Sequence, residues 1–233
     1  MELKVLYEDN HIIVVIKPVG VPVQEDKTGD TDMLTIIKKY LKEKYNKPGN
    51  VYLGLVHRLD RMVGGVMVFA KTSKAASRIS EYIRQKNFKK KYLAIVNGKL
   101  KVSDKVNVLD NYLVKNERIN MSKIVDKSVK NSKNANLEYK VIKNFTYNNK
   151  EYSLVDINLN TGRHHQIRVQ FAGIGAPLYG DQKYGQKVNK VGQNLALWSY
   201  YLSFFHPTKD EYLEFEFKPW EYDKRDKIWN EVK

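Results

Sequence analysis

Two short runs without a polar residue, Ile12–Ile16 and Val66–Ala70, constrain the fold of this chain most. Such runs are too short for a helix and too apolar for a surface, so each reads as a buried strand. The first ends at Lys17-Pro18, and Gly20 and Pro22 mark the turn behind it. Gly64-Gly65 precede the second and let the backbone turn tightly or lie close to a ligand. Between the runs, Met33, Ile36, Ile37, Tyr40 and Leu41 recur at helical spacing after a cap at Thr31 or Asp32, and Pro48-Gly49 closes that segment. A second helix follows Thr72 or Ser73, with Ala76, Ile79 and Ile83 expected inward and Lys74, Arg78 and Arg84 toward water.

The second half reads mostly as strands, at 137–143, 152–159, 164–171, 195–205 and 212–217. Residues 115–133 are rich in Lys, Asn and Ser and are expected to form a mobile loop or irregular hairpin. Two helices among many antiparallel-looking strands predict an α+β fold rather than a doubly wound sheet. A chain of 233 residues with 42% hydrophobic content fits one domain, 1–233, built as two lobes of about 1–95 and 96–233.

Asp60 stands among His57, Arg58 and Arg61 in the loop that feeds the second apolar run. Taken alone, this is a solvated ion pair of little energetic value. On a strand at 164–171, alternation puts His164, Gln166, Arg168 and Gln170 on one face and His165, Ile167, Val169 and Phe171 on the other. By default Arg168 would then snorkel to water. His164 and His165 would point to opposite faces, which makes them core or hydrogen-bonding histidines rather than a metal pair, and His57 reads as loop support. The absence of cysteine removes disulfides, thiolate metal sites and cysteine nucleophiles.

Lys and Arg number 41 against 26 Asp and Glu, a net charge of +15. A field of that sign calls for a polyanionic partner, and nucleic acid stands ahead of membrane because no basic amphipathic helix stands out. No run approaches a membrane span, and Met1-Glu2-Leu3-Lys4 does not open a leader, so the expectation is a soluble, cytoplasmic protein.

Several motifs resemble, in order and spacing, those of the RluA/RluD family of RNA pseudouridine synthases. His57-Arg58-Leu59-Asp60-Arg61 is followed by a small-residue turn, an apolar strand and Ala70-Lys71-Thr72. Tyr7 to Gly20 is similar to the opening strand and Lys-Pro-x-Gly turn of the family, and Leu159 to Val169 to its Thr-Gly-Arg-Thr-His-Gln-Ile-Arg-Val segment, with His164 replacing the second Thr. Gly180 to Gly185 and His206-Pro207 complete the set. Where the family usually has Thr-Ser-Gly, this chain has Val63-Gly64-Gly65, without the two hydroxyls.

The resemblance implies the pseudouridine synthase catalytic fold: a central mixed, mostly antiparallel sheet with flanking helices and a cleft, here without an S4 domain. It implies Asp60 as the essential carboxylate, Arg168 as its ionic partner and Tyr92, in Lys90-Lys91-Tyr92-Leu93-Ala94, at the target base. Arg58 is expected to fill the space left by an everted uridine, and Arg61, Lys89, Lys90, Lys91 and His164 to contact RNA. One carboxylate suffices for breaking and remaking the glycosidic bond, so no cofactor and no metal is expected. Asp181 reads as a turn residue.

The expected partner is ribosomal or transfer RNA, with no membrane and no obligatory protein partner, and the expected state is a monomer. A non-catalytic RNA-binding or RNA-folding protein on the same scaffold is the alternative, since only the carboxylate separates the two. A glycoside or nucleoside hydrolase is disfavoured by the basic charge and by the lack of an evident second carboxylate. Binding led by phosphate contacts should weaken steeply with salt. Filter binding to RNA across 50–200 mM salt should show a loss on the order of 10³-fold for six or so contacts, and a flat response contradicts that expectation.

Overall fold

The computed structural model describes residues 3–221 and 227–233. In chain order the elements are β1 (Val5–Glu8), β2 (Ile12–Lys17), α1 (Met33–Lys44), β3 (Gly54–Leu55), β4 (Gly64–Ala70), α2 (Ser73–Arg84), β5 (Phe88–Asn97), β6 (Asn107–Asn116), β7 (Met121–Val125), β8 (Lys133–Tyr147), β9 (Lys150–Leu159), α3 (Gln166–Gly173), β10 (Leu197–Phe205) and β11 (Tyr212–Glu216). Short 3₁₀ segments follow at Pro219–Glu221 and Lys227–Val232. The fold is α+β, with few helices and mostly antiparallel strands. No helix among the described residues is long and apolar enough to cross a membrane. The chain forms two compact units, one of Met1–Lys89 and Ser199–Lys218, the other of Lys90–Trp198 and Pro219–Lys233.

In the first unit β2 is flanked by β1 and β4, and β4 by β2 and β10, so both are interior strands, and both are buried along their whole length. The β2–β4 register runs from Ile12↔Ala70 to Lys17↔Gly65, so the end of β2 lies beside the start of β4. Asp32 caps α1 by accepting the Thr35 N–H at 3.2 Å, and the helix buries Met33, Ile37 and Leu41, one face at four-residue spacing. Thr72 caps α2 in the same way through the Ala75 N–H. Its buried pair is Ala75 and Ile79, so the inward face is turned one residue from the Ala76 face expected.

In the second unit the strand order is β5-β9-β8-β6-β7. Asn148 and Asn149, both with positive φ (47° and 60°), make the tight turn between β8 and β9, a conformation that Asn accepts more readily than most residues. Residues 115–133 contain β7, which pairs with β6 from Tyr112↔Val125 to Asn116↔Met121 in a regular hairpin. Polar residues that suggested a mobile loop instead suit an edge strand, where they discourage pairing with another chain.

The expected strand at 164–171 is corrected: Gln166–Gly173 is α3. The polar/apolar alternation misled because no face here meets water; every residue from Gln166 to Phe171 is buried. The polar members are pegged to neighbouring backbone instead. Gln166 donates to the Asn136 carbonyl at 3.1 Å, and Gln170 donates to the Leu109 and Ala135 carbonyls at 3.1 and 3.0 Å.

Gly65, at φ +128°, leaves no room for a side chain against β10: an added Cβ would lie 2.1 Å from the Ser199 carbonyl oxygen. Gly65→Ala should therefore destabilise the protein by at least ~3 kcal/mol through clash and strain. Urea unfolding checks this, and a midpoint equal to that of the wild type would contradict it.

Candidate active site

Asp60 sits half-buried between β3 and β4, on a loop anchored by buried Leu59 and Val63. The Val63 N–H donates to the Asp60 carbonyl at 2.9 Å. His57 supports the loop from below: its Nε2 accepts the Val68 N–H of β4 at 3.1 Å, and its ring meets Phe88 edge-on. Lys17, wholly buried, donates from Nζ to the carbonyls of Pro18 (2.8 Å) and Arg61 (3.0 Å). Backbone donors and this Lys17 side chain thus hold a turn, Val63-Gly64-Gly65, that has no hydroxyl side chain of its own. Burial pushes the Lys17 pKa down to about 7; the Asp60 charge opposes that shift and Arg61 adds to it.

Arg61 points its guanidinium at its own chain. Nε donates to the Gly20 carbonyl at 3.0 Å, Nη1 to the Thr28 hydroxyl at 3.0 Å, and Nη2 pairs with Asp30. It ties the exposed segment at 24–31 to the Asp60 loop, a structural duty that the sequence alone did not suggest. Arg58 lies exposed on the same loop.

In the second unit Tyr92 is buried on β5, opposite Ile157 of β9. Lys89 is exposed while Lys90 and Lys91 are half-buried, and burial lowers the Lys90 pKa. Lys90 reaches the Thr161-Gly162 turn, where its Nζ would be 3.6 Å from a Cβ on Gly162.

Arg168 projects from α3 into the interior rather than snorkelling. Its Nε and Nη2 each donate at 2.8 Å to Asp181, one carboxylate oxygen apiece. Asp181 is completely buried, and its Oδ1 also accepts the N–H groups of Lys183 and Tyr184. Burial acts to raise the Asp181 pKa, but the Arg168 bonds and charge, with the two backbone donors, outweigh it and hold the carboxyl below its ordinary value. A turn-residue reading of Asp181 missed this. The available signal was Arg168 itself, because a buried guanidinium requires a countercharge.

His164 and His165 do not point apart. His165 has a left-handed backbone (φ 53°), and the two rings stack with centroids 3.8 Å apart. His164 Nδ1 lies 2.9 Å from the Ser122 hydroxyl, and His165 Nδ1 lies 2.9 Å from the Tyr184 hydroxyl. Burial, then nearby cations, push His164 down to about 4 and His165 to about 2, so both rings are neutral at pH 7.

Residues 11–173, which contain Asp60, Tyr92 and Arg168, match the family model described as RNA pseudouridylate synthase. The chain belongs to the RNA pseudouridylate synthase family. It is 33% identical to the uncharacterized RNA pseudouridine synthase of Aquifex aeolicus (strain VF5), over 98% of this chain and 73% of that protein. It is 35% identical to ribosomal large subunit pseudouridine synthase D of Nitrosomonas europaea, over 79% of this chain and 50% of that one. Among solved structures, human RNA pseudouridylate synthase domain containing 1 shares the fold, with a TM-score of 0.74 at 24% identity over 94% of this chain and 86% of that chain. Asp181, the countercharge of Arg168, lies beyond the matched segment of the family model.

Asp181→Ala leaves a buried guanidinium without this carboxylate and should cost roughly 3–5 kcal/mol. Denaturant unfolding measures it, and a loss below about 1 kcal/mol would show that α3 does not depend on the pair.

Proposed function

We propose that this enzyme isomerises uridine in ribosomal RNA, with Asp60 as the essential carboxylate, Tyr92 at the target base and Arg168 as the cation that the family motif pairs with that carboxylate. The reaction class is that of its family, conversion of uridine in RNA to pseudouridine. The observation that carries the assignment of residues is the family match over 11–173, within which all three occur in the expected motifs. Ribosomal RNA is favoured over transfer RNA because relatives named as large subunit pseudouridine synthases C and D align with most of the chain.

The reaction breaks the N-glycosidic bond, turns the detached base and rejoins it through carbon without letting water capture the sugar. Asp60 serves as the nucleophile or the base in that sequence. Its loop is anchored below by the Lys17 ammonium and at the side by Arg61, which fixes the carboxylate without using a substrate contact. In this reading Arg58, exposed on the Asp60 loop, stacks in the gap left by an everted nucleotide. Lys89, Lys90 and Lys91 supply phosphate contacts. We extend the reading to a cytoplasmic monomer, which size-exclusion chromatography and cell fractionation test.

Incubation with large subunit ribosomal RNA followed by pseudouridine mapping tests the function. Asp60→Asn should lower the rate by on the order of 10³-fold or more while leaving RNA affinity within about threefold. Release of free uracil would assign a hydrolase instead. Tight binding by the wild type with no pseudouridine would assign a non-catalytic binder.

A further inference from the structure

We propose that His164 is a dedicated hydrogen-bond acceptor that selects a donor group on bound RNA, a ribose 2′-hydroxyl or a nucleobase N–H, and that Ser122 of β7 fixes it in that role. The proposal rests on the reading of this protein as an RNA enzyme and deepens it.

Proton accounting at Ser122 carries the argument. The Ser122 Oγ is buried, 2.8 Å from the His164 carbonyl oxygen and 2.9 Å from His164 Nδ1. A carbonyl oxygen can only accept, and a serine hydroxyl has a single proton. That proton is therefore spent on the carbonyl, and Nδ1 must donate its own hydrogen to Oγ. A neutral imidazole protonated at Nδ1 has a bare lone pair at Nε2. Nε2 makes no hydrogen bond among the described residues and is not sealed from solvent.

The ring is fixed in direction as well as in tautomer. It stacks on His165, which is tied by Nδ1 to the Tyr184 hydroxyl, and the same hydroxyl accepts the Ser122 N–H at 2.7 Å. Serine and tyrosine thus hold both imidazoles from the β6–β7 hairpin and from the Asp181 segment. The charged groups facing the ring are Lys115 and Glu117 at the end of β6, Lys183 beside Asp181, and Arg168 on α3. Three of the four are cations, and together with burial they keep His164 neutral across the physiological range.

A cationic rim draws phosphate, but a lone pair at its centre repels phosphate oxygens. The acceptor must meet a donor next to the backbone, and RNA has two kinds, the 2′-hydroxyl and base N–H groups. A threonine, the residue usual at this place in the motifs that the sequence resembles, can both donate and accept. His164, tied as it is here, can only accept, which narrows the choice.

Two measurements test the inference. In ¹⁵N-resolved NMR of the histidine side chains, the proton of His164 should reside on Nδ1 from pH 5 to 8, and Ser122→Ala should release a mixture of tautomers. A proton on Nε2 in the wild type overturns the proposal. In the second, large subunit ribosomal RNA transcripts carry randomly placed 2′-deoxynucleotides or, in separate pools, base analogues each lacking one N–H donor. Pools are selected for binding to the wild type and to His164→Ala, whose thermal unfolding confirms its fold.

The wild type should disfavour substitution at one position by roughly three- to tenfold, and His164→Ala should ignore it. The pool in which the position appears tells the 2′-hydroxyl from the base. Identical maps for the two proteins, or failure of both to bind any transcript, overturn the proposal. Pseudouridine assays on the same preparations separate this from the enzymatic reading: interference without pseudouridine sinks that reading alone, and pseudouridine with identical maps sinks only the role of His164.

Discussion

A guanidinium in a protein interior is tolerable only with its countercharge beside it, and the second unit of this protein is arranged around one such pair. Arg168 and Asp181 meet through two parallel 2.8 Å hydrogen bonds, and the remaining capacity of the carboxylate is taken by two backbone donors. The pair fixes α3 against the segment that follows it, and that segment includes Tyr184, whose hydroxyl reaches both His165 and β7. One buried ion pair therefore sets the direction of the histidines, the seat of the hairpin and the orientation of the guanidinium itself.

The first unit solves a similar problem differently. Lys17 is as deeply buried as Asp181, yet its direct hydrogen-bond partners are two carbonyl oxygens, and the Asp60 charge acts on it as a nearby field. The consequence is a depressed Lys17 pKa, where the full pairing of Arg168 leaves Asp181 firmly ionised. Lys17 spans from the end of β2 to the Asp60 loop, so the strand register Lys17↔Gly65 and the position of the carboxylate are one constraint. Arg61 extends that constraint to the exposed segment after Gly20. Both buried side chains serve geometry: the loop that carries Asp60 and the helix that carries Arg168 are each held by hydrogen bonds from a group that cannot move without cost.

Patterns local in the chain were legible before folding. The runs at Ile12–Ile16 and Val66–Ala70 and the caps Asp32 and Thr72 depend on residues within a few positions of one another, and each has the expected form. The segment at 164–171 failed because alternation reports a solvent face, and this segment has none. Its glutamines and arginine are buried by partners 30 or more residues away, at Leu109 and Ala135, or just beyond the helix at Asp181. At 115–133 the sequence left a mobile loop and an irregular hairpin both open, since polarity marks an edge strand and a loop alike, and the β6–β7 hairpin is the form found.

The sequence by itself determined the family and the class of reaction, because those rest on residue types in fixed short spacings. Tertiary structure alone decided what Arg168 pairs with in its own unit, which proton His164 keeps and what Arg61 holds. The physical reason is that ionisation and tautomer belong to a group together with its neighbours, and here those neighbours come from β7, from the Asp181 segment and from the loop after Gly20. No spacing along the chain encodes them; they exist only once burial has removed water as the alternative partner.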